Sequence, residues 1–323
     1  MIQSKKKIQL DLETKKSKEN AIKAYYHHDF NFQDYGSILG YTDFNKREFA
    51  ICTWNNFWYR NISFRQPSYL LKYLENLNPY GIYVGAIYEK SPSKDNPITK
   101  NTWSKHELVF DFDLNDYDEI RKKTCGCIGK NKFCYECWEL LTSGAFFIED
   151  TLKEDFGFKE LTWTFSGRRG LHLWITDKIA MKLDKTQRNS ITNYLELVKP
   201  QKIELPPKRL PDAINLTERI YSHLIQPYFS TLSNEQIKQY EQLDKNNDGD
   251  VFIKEMLRLR YPRIDLKVTS DINRVLRLPG SIHAGTGKPC FIINNINSFD
   301  PFSVKSIYEE LKEYEKKYFQ GGI

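Results

Sequence analysis

Long hydrophobic runs are absent from the sequence, and so is a secretory signal at its start. A membrane-spanning helix needs about 20 consecutive apolar residues, and a signal peptide needs an apolar stretch behind a basic one. Neither pattern occurs among the 323 residues. We therefore exclude a membrane-spanning or secreted protein and expect a soluble, intracellular one without membrane contact.

Cysteine is scarce, and its distribution is uneven. Two of the six cysteines, Cys52 and Cys290, stand alone in apolar stretches and are predicted to be core thiols. The other four crowd together as Cys125, Cys127, Cys134 and Cys137. Such clustering in an intracellular chain favours a metal over disulfides. Four thiolates can form a tetrahedral structural zinc site, although the first two cysteines are closer together than is usual.

A strong excess of one charge is also missing. The chain has 48 Lys and Arg against 42 Asp and Glu, a formal net charge of +6. A mild positive charge suits a polyanion such as nucleic acid, because neutralised phosphates release counterions. Many lysine-rich proteins bind no nucleic acid, so the charge leaves the class of partner open.

The residue patterns predict a mixed α/β protein. Segments rich in β-branched and aromatic residues predict strands at roughly 47–54, 56–64, 80–88, 107–114, 160–166, 171–176, 263–268 and 288–294. Periodicity predicts helices at roughly 67–76, 134–155 and 184–198, over most of 213–260, and after Ser303. A stretch rich in Pro and Lys at 199–212 marks a boundary. We predict a domain formed by 1–205 and 259–323, with a helical insertion subdomain at 206–258.

Two acids alternate with aromatic residues in the segment ELVFDFDL. Successive strand side chains point to opposite faces, so Asp111 and Asp113 share one face while Phe110 and Phe112 pack on the other. Paired carboxylates on a stiff strand suit the divalent cations that phosphoryl transfer uses. The alternative is a solvated edge strand, because the motif is short. Asp265, in the predicted strand YPRIDLKV, offers a third carboxylate.

Two basic loops resemble phosphate-binding segments in composition. Residues 166–170 (SGRRG) join two predicted strands, and His172 follows them. Glycines let the backbone approach a ligand closely, and arginines grip phosphate through two donors. A second loop at 272–289 carries Arg277 and His283 around a Pro-Gly turn. The alternative for the first loop is a solvated hairpin cap.

A third acidic pattern leaves calcium binding open. Residues from Asp244 to Glu255 fit the spacing of an EF-hand loop between helical segments. EF-hands normally come in pairs, and the sequence has no second such loop. A polar turn between two helices explains the pattern more simply, without a metal.

Several segments occur in the order found in one known family: ELVFDFDLNDYD, CYECW, KEDFGF with WTFSGRRGLHLW, YPRIDLKVTSDINRVLRLPGSIH and FDPFSV. The sequence thereby resembles the small catalytic subunit of archaeo-eukaryotic primases, and the eukaryotic branch more than the archaeal one. The resemblance covers most of the chain outside 199–255. It implies the primase catalytic fold, a large mixed sheet flanked by helices with a structural zinc loop at 124–138.

The resemblance also implies an activity and roles for individual residues. The activity is that of a nucleotidyltransferase that makes short RNA primers de novo from NTPs on a single-stranded DNA template. Two catalytic Mg²⁺ or Mn²⁺ ions would be held by Asp111, Asp113 and Asp265. The incoming nucleotide would be bound by Ser166, Arg168, Arg169, His172, Arg277 and His283, with Glu48 and Arg60 lining the same site. One structural Zn²⁺ would be held by Cys125, Cys127, Cys134 and Cys137.

Partners and location follow from the resemblance alone. It implies a nuclear primosome containing the primase large subunit, which carries an iron–sulfur cluster, and DNA polymerase α with its accessory subunit. Two other functions stay open, a gap-filling primase-polymerase and a non-catalytic, zinc-stabilised nucleic-acid-binding protein. Tyr83 stands where some relatives carry an acid near the ribose, which leaves the choice between NTP and dNTP open. Gly285 stands where relatives carry a lysine, and Lys288 is the nearest lysine after it.

Overall fold

The computed structural model describes residues 2–30, 36–40, 43–77, 79–127, 129, 132–199, 202–203, 211–245 and 250–309. The chain forms two compact units. Unit 1 comprises Met1–Glu107, Thr162–Arg168 and Ile272–Ile323, and unit 2 comprises Leu108–Leu161 and Arg169–Asp271. Three expectations fall outside the described residues: the domain boundary near 205, the middle of the candidate calcium loop at 246–249, and the closing helix beyond 309.

Short runs of helices and short runs of strands follow one another along the chain. The helices are α1 (Ile2–His28), α2 (Gly36–Leu39), α3 (Pro67–Asn76), α4 (Asp118–Thr124), α5 (Tyr135–Glu154), α6 (Lys178–Met181), α7 (Lys185–Leu195), α8 (Pro211–Ile220), α9 (Gln226–Phe229), α10 (Asn234–Lys245), α11 (Asp250–Arg260) and α12 (Leu266–Ser270). The strands are β1 (Arg47–Thr53), β2 (Trp58–Ile62), β3 (Pro79–Tyr88), β4 (Trp103–Lys105), β5 (Leu108–Asp113), β6 (Leu161–Phe165), β7 (Gly170–Ile175), β8 (Val198–Lys199), β9 (Lys202–Ile203), β10 (Leu276–Arg277), β11 (Ile282–His283), β12 (Lys288–Pro289) and β13 (Phe291–Ile293).

Most predicted elements are confirmed, and one is wrong. The first six predicted strands appear as β1, β2, β3, β5, β6 and β7. The strand predicted at 263–268 is replaced by the short helix α12, which begins directly after Asp265. The reason is a cap: the Asp265 carboxylate accepts the backbone N–H groups of Lys267 and Val268, at 3.0 and 3.3 Å. A carboxylate at this position satisfies donors that the first helical turn leaves open.

Unit 1 is built on an antiparallel sheet with the strand order β10-β3-β1-β2, in which β4 also pairs with β3. Strand β1 is buried along most of its length, and Phe49, Ala50 and Ile51 have no exposed surface. Strand β6 pairs with β13, and β11 pairs with β12, both antiparallel. Burial on both faces explains the apolar run at residues 49–52 in the middle of β1.

Unit 2 contains the antiparallel pair β5 and β7, in which Asp111 lies opposite His172 and Asp113 lies opposite Gly170. Phe110 and Phe112 on β5 are fully buried. Burying a phenylalanine side chain contributes about 1.5–3 kcal/mol. A slip of one residue would turn both acids into the core, so the buried rings fix the register that presents the carboxylates.

The mixed α/β class is confirmed, and the strand pairs described within each unit are antiparallel. The region predicted to be mostly helical at 213–260 contains α8, α9, α10 and α11 in its described part. Within the described residues, no helix combines the length and the apolar character needed to cross a membrane.

Candidate active site and cysteine cluster

Three aspartates predicted to bind metal lie in unit 2. Asp111 and Asp113 project from the same face of β5, and their side chains are 26% and 41% exposed. The backbone N–H of Asp265 donates to the carbonyl oxygen of Asp111 at 3.1 Å. Helix α12, which Asp265 caps, packs against β5. One strand and one helix N-terminus therefore hold the three carboxylates of the predicted set in the same unit.

Two predicted phosphate-binding side chains contact these carboxylates. Arg169 is 3% exposed, and its Nε donates to Asp113 Oδ1 at 2.7 Å. His172 Nε2 lies 3.7 Å from Asp111 Oδ1, as the cross-strand register requires. Each carboxylate on β5 therefore has a basic neighbour, and Arg169 supplies a full positive charge beside Asp113.

One acid of this region was missed by sequence reasoning. Asp116 lies in the 3-10 turn Leu114–Tyr117, which Asp113 caps by accepting the N–H of Asn115 at 2.9 Å. Burial, together with the negative charges of Asp113 and Asp265, raises the pKa of Asp116 to about 6. The signal was present in DFDLNDYD, which continues the acidic pattern beyond Asp113. A raised pKa among like charges marks a locus where a divalent cation is favoured.

In unit 1, the two predicted basic loops pack directly on each other. Gly167 has a φ of 84°, and a Cβ there would lie 2.8 Å from the Cβ of His283 and 2.9 Å from the carbonyl oxygen of Lys288. The Thr286 hydroxyl donates to the Gly167 carbonyl at 2.6 Å. Glycine is required here by both the backbone conformation and the close approach. Ser166 and Arg168 flank it, so they come next to the second loop.

Arg277 forms an aromatic contact that sequence reasoning did not foresee. Its guanidinium lies over the ring of Tyr83 at 5.1 Å, and Nη2 donates to the Tyr83 hydroxyl at 3.2 Å. Nη1 donates to the carbonyl of Ile282 at 3.2 Å. The ring of Trp58 lies 4.8 Å from that of Tyr83, and Trp58 is 47% exposed. A partly exposed aromatic surface therefore adjoins a predicted phosphate contact.

The other two residues predicted to line the nucleotide site, Glu48 and Arg60, form an ion pair with two contacts. Glu48 has no exposed surface, and Arg60 donates to it from Nε at 2.6 Å and from Nη2 at 3.0 Å. A buried carboxylate needs such a partner. Lys288, the nearest lysine after position 285, donates from its amine to the carbonyl of Pro301 at 3.2 Å.

The four clustered cysteines meet in unit 2. Their sulfur atoms all lie within 4.8 Å of one another, and Cys137 Sγ is 3.2 Å from Cys125 Sγ and 3.7 Å from Cys134 Sγ. None forms a disulfide. Zinc–sulfur bonds of about 2.3 Å in a tetrahedron put the sulfurs about 3.8 Å apart. The donor set and its spacing therefore fit a closed zinc site.

The candidate calcium loop can be followed only at its ends. Helix α10 ends at Lys245 and α11 begins at Asp250. Glu255, the last acid of the pattern, lies within α11 and accepts Arg258 Nε at 2.8 Å. Calcium binding at this loop stays an open hypothesis.

Comparisons of the sequence with a family model and with curated proteins agree on one family. The model of the family described as DNA primase small subunit matches residues 110–295. The DNA primase small subunit of Schizosaccharomyces pombe is 30% identical, over 90% of this chain and 77% of that protein. The corresponding subunit of Drosophila melanogaster is 28% identical, over 84% of this chain and 74% of that protein. That of Methanobrevibacter smithii is 26% identical, over 77% and 84% respectively.

Proposed function

The chain belongs to the DNA primase small subunit family, nucleotidyltransferases that serve DNA replication, and we propose that it makes short RNA primers de novo by two-metal nucleotidyl transfer. The observation that carries the proposal is the set of aspartates Asp111, Asp113 and Asp265 on β5 and at the start of α12. Asp116 adds a further carboxyl group, whose pKa is raised first by burial and then by the negative charges of Asp113 and Asp265. Such charge suits a site for divalent cations.

These aspartates would hold two Mg²⁺ or Mn²⁺ ions. When bound, the ions supply charge neutralisation for a 3′-hydroxyl nucleophile and for the triphosphate. The protein's part is positioning: strand β5 holds two ligands at fixed spacing, and the cap geometry holds the third. No covalent intermediate is needed, because proximity and electrostatics lower the barrier to phosphoryl transfer.

Basic side chains would bind the triphosphate of the incoming nucleotide. In unit 2 these are Arg169 and His172, whose present partners are the carboxylates of β5. In unit 1 the set is Ser166, Arg168, Arg277 and His283, with the Glu48–Arg60 pair beside them in the predicted role. Arginine suits this task because its planar group grips phosphate oxygens through two donors.

A second function, gap filling with deoxynucleotides, is favoured by one observation. Tyr83 presents an aromatic ring and a hydroxyl bonded to Arg277, where some relatives carry an acid near the ribose. The neutral Tyr83 hydroxyl, which already accepts a bond from Arg277, is a weaker acceptor for a sugar hydroxyl than a charged carboxylate. The comparative rate with NTP and dNTP separates the two functions. A non-catalytic role has less support, because all three aspartates are present.

The partners proposed for the chain are the primase large subunit and DNA polymerase α with its accessory subunit, acting in the nucleus on single-stranded DNA. The cysteine cluster would hold one structural Zn²⁺. Only two other cysteines, Cys52 and Cys290, occur in the chain. They are too few to hold an iron–sulfur cluster with four cysteine ligands. The iron–sulfur cluster of the complex therefore belongs to the large subunit.

The test is ribonucleotide incorporation on a polypyrimidine single-stranded template with Mg²⁺ or Mn²⁺. We expect the wild type to make primers and Asp111→Ala/Asp113→Ala to be slower by about 1000-fold or more, the scale of removing transition-state charge stabilisation. Asp150→Ala is the matched control, a partly exposed acid of unit 2 paired with His223. Equal rates for wild type and the double variant would contradict the proposal. Inactivity of both calls for the assay to be repeated with the large subunit added.

A further inference from the structure

Arg121, on α4, is a buried charge whose setting the proposed chemistry does not explain. Its side chain has no exposed surface. A guanidinium is always protonated in proteins, and burying it is costly unless its donors are bonded. The partners of Arg121 therefore reveal what the fold holds together at this point.

Those partners belong to two different segments. Nη1 donates to the carbonyl of Leu114 at 3.0 Å and to Asp118 at 2.6 Å. Nε donates to Cys137 Sγ at 3.3 Å, and Nη2 donates to the carbonyl of Lys132. One planar group thus bonds the turn after β5 on one side and the cysteine loop on the other.

Arg121 holds the cysteine loop with its backbone as well as with its side chain. The carbonyl of Arg121 accepts the N–H groups of Cys125 and Gly126, at 3.1 and 2.8 Å. Cys137, the sulfur that Arg121 contacts, is itself fully buried. A metal-bound thiolate accepts a hydrogen bond from a cation more strongly than a neutral thiol does, because the bond is charge-assisted. Occupation of the cysteines by a metal therefore strengthens this contact.

The other side reaches a predicted cation ligand. Leu114 directly follows Asp113 and begins the 3-10 turn that the Asp113 carboxylate caps through the N–H of Asn115. The position of the Leu114 carbonyl and the orientation of the Asp113 carboxylate are set by the same turn. Releasing the carbonyl from Arg121 loosens that turn.

A second connection runs through α5, whose first turn carries Cys137. Gly144 on α5 approaches so closely that a Cβ there would lie 2.9 Å from the Cβ of Pro262. The hydroxyl of Tyr117 accepts the N–H of Arg263 at 2.9 Å. The segment leading to Asp265 is thereby held by α5 and by the same 3-10 turn.

We propose that Arg121 couples the cysteine metal site to the carboxylate site, so that loss of the metal from the cysteines weakens cation binding at Asp111 and Asp113. Arg121 is a positioning residue, since it contacts neither substrate nor the carboxylates of Asp111, Asp113 and Asp265. The inference rests on the proposed role of these aspartates as cation ligands. Coupling between two sites is reciprocal and amounts typically to a factor of 5 to about 150 in affinity.

The experiment measures Mn²⁺ affinity of the full chain by electron paramagnetic resonance, zinc-loaded and after zinc removal. We expect zinc removal to weaken Mn²⁺ binding to the wild type about five- to tenfold. Arg121→Lys keeps the charge but lacks the planar fork, so it should bind Mn²⁺ weakly even with zinc present. Removing zinc from Arg121→Lys should then weaken Mn²⁺ binding little further. A purely structural role would lower the melting temperature and leave Mn²⁺ affinity unchanged.

Arg219→Lys is the matched control. Arg219 is a buried arginine of unit 2 that bonds Asp155 and Thr151, away from both sites. It should lose stability without losing Mn²⁺ affinity. Equal Mn²⁺ affinity for zinc-loaded wild type and Arg121→Lys would overturn the coupling, as would an equal effect of zinc removal in both.

Two further arms separate the failures. Asp111→Ala/Asp113→Ala should abolish the Mn²⁺ signal; if it binds as well as wild type, the proposed carboxylate site fails rather than the coupling. If Arg121→Lys does not fold, the coupling can still be tested in the wild type, because each metal must affect the binding of the other by the same factor. Saturating Mn²⁺ should then tighten zinc retention against a chelator by the same factor, and an unchanged retention would overturn the inference.

Discussion

Unit 2 contains two candidate metal centres that differ in exposure: the cysteine site is closed, and the carboxylate site is open to solvent. The cysteine sulfurs already lie within 4.8 Å of one another, and Cys137 is fully buried. The carboxylates of Asp111 and Asp113 are partly exposed, and Asp113 is neutralised by Arg169. A structural site gains from being closed, whereas a catalytic site must keep positions open for exchange. Under the proposed function, a metal at the cysteines would stabilise the unit, whereas cations at the carboxylates would bind together with the substrate.

The largest expected effect comes from breaking the closed site. Cys137→Ser should lose the bound zinc and lower the melting temperature by about 10 °C, because metal binding energy is folding energy here. Zinc content and thermal unfolding measure the two effects. Cys290→Ser is the control, a buried cysteine of unit 1 outside the cluster. It should keep one zinc per chain. A full zinc complement in Cys137→Ser would show that the cysteines do not form one closed site.

Substitutions at Asp265 can separate its structural role from its proposed chemical role in the carboxylate site. The carboxylate caps α12 and is also a predicted cation ligand. Asparagine caps helices about as well as aspartate, whereas alanine loses about 1 kcal/mol. We expect Asp265→Asn to keep the melting temperature and Asp265→Ala to lower it. Both should reduce primer synthesis about 100-fold or more, since neither supplies a charged ligand. Activity in Asp265→Asn near that of wild type would leave the residue with capping alone.

Both candidate metal sites could be predicted from the sequence, because the residue patterns that indicate them are local. Alternation of acids with Phe110 and Phe112 places Asp111 and Asp113 on one face, and β5 has that pattern. Crowded cysteines likewise predict their own proximity. The strand assigned around Asp265 was wrong because residue type favoured a strand, while a cap and a bond from its N–H to Asp111 decided otherwise. Those are tertiary effects that override propensity.

Other features had no signal that a single sequence offers. Nothing near Arg121 predicts that its charge is buried, because the burying groups come from the turn after β5 and from the cysteine loop. The need for glycine at 167 depends on His283, which approaches from a distant part of the chain. In unit 1, Tyr83 and Arg277 become neighbours only through the pairing of β3 with β10. Such contacts follow from the assembled fold rather than from any local pattern.

The smallest expected effect tests the negative charge of the open site through Asp116. Its pKa is raised to about 6, chiefly by burial and then by Asp113 and Asp265. A carboxyl with a raised folded-state pKa favours folding below its unfolded pKa of about 4. That contribution disappears as the pH rises through about 6. Asp116→Asn should therefore match wild type near pH 4 and be more stable above pH 7.

The measurement is the melting temperature of both proteins from pH 4 to pH 8. Asp116 keeps much of its surface in contact with water, so the burial that raises its pKa is only partial. Solvent screening should therefore keep the difference in melting temperature to about 2 °C or less. Saturating Mg²⁺ should shrink the difference at high pH, because a bound cation cancels the repulsion that raises the pKa. A difference in melting temperature that changes with neither pH nor Mg²⁺ would contradict this prediction. It would mean that Asp116, Asp113 and Asp265 do not repel one another as the carboxylates of a cation site should.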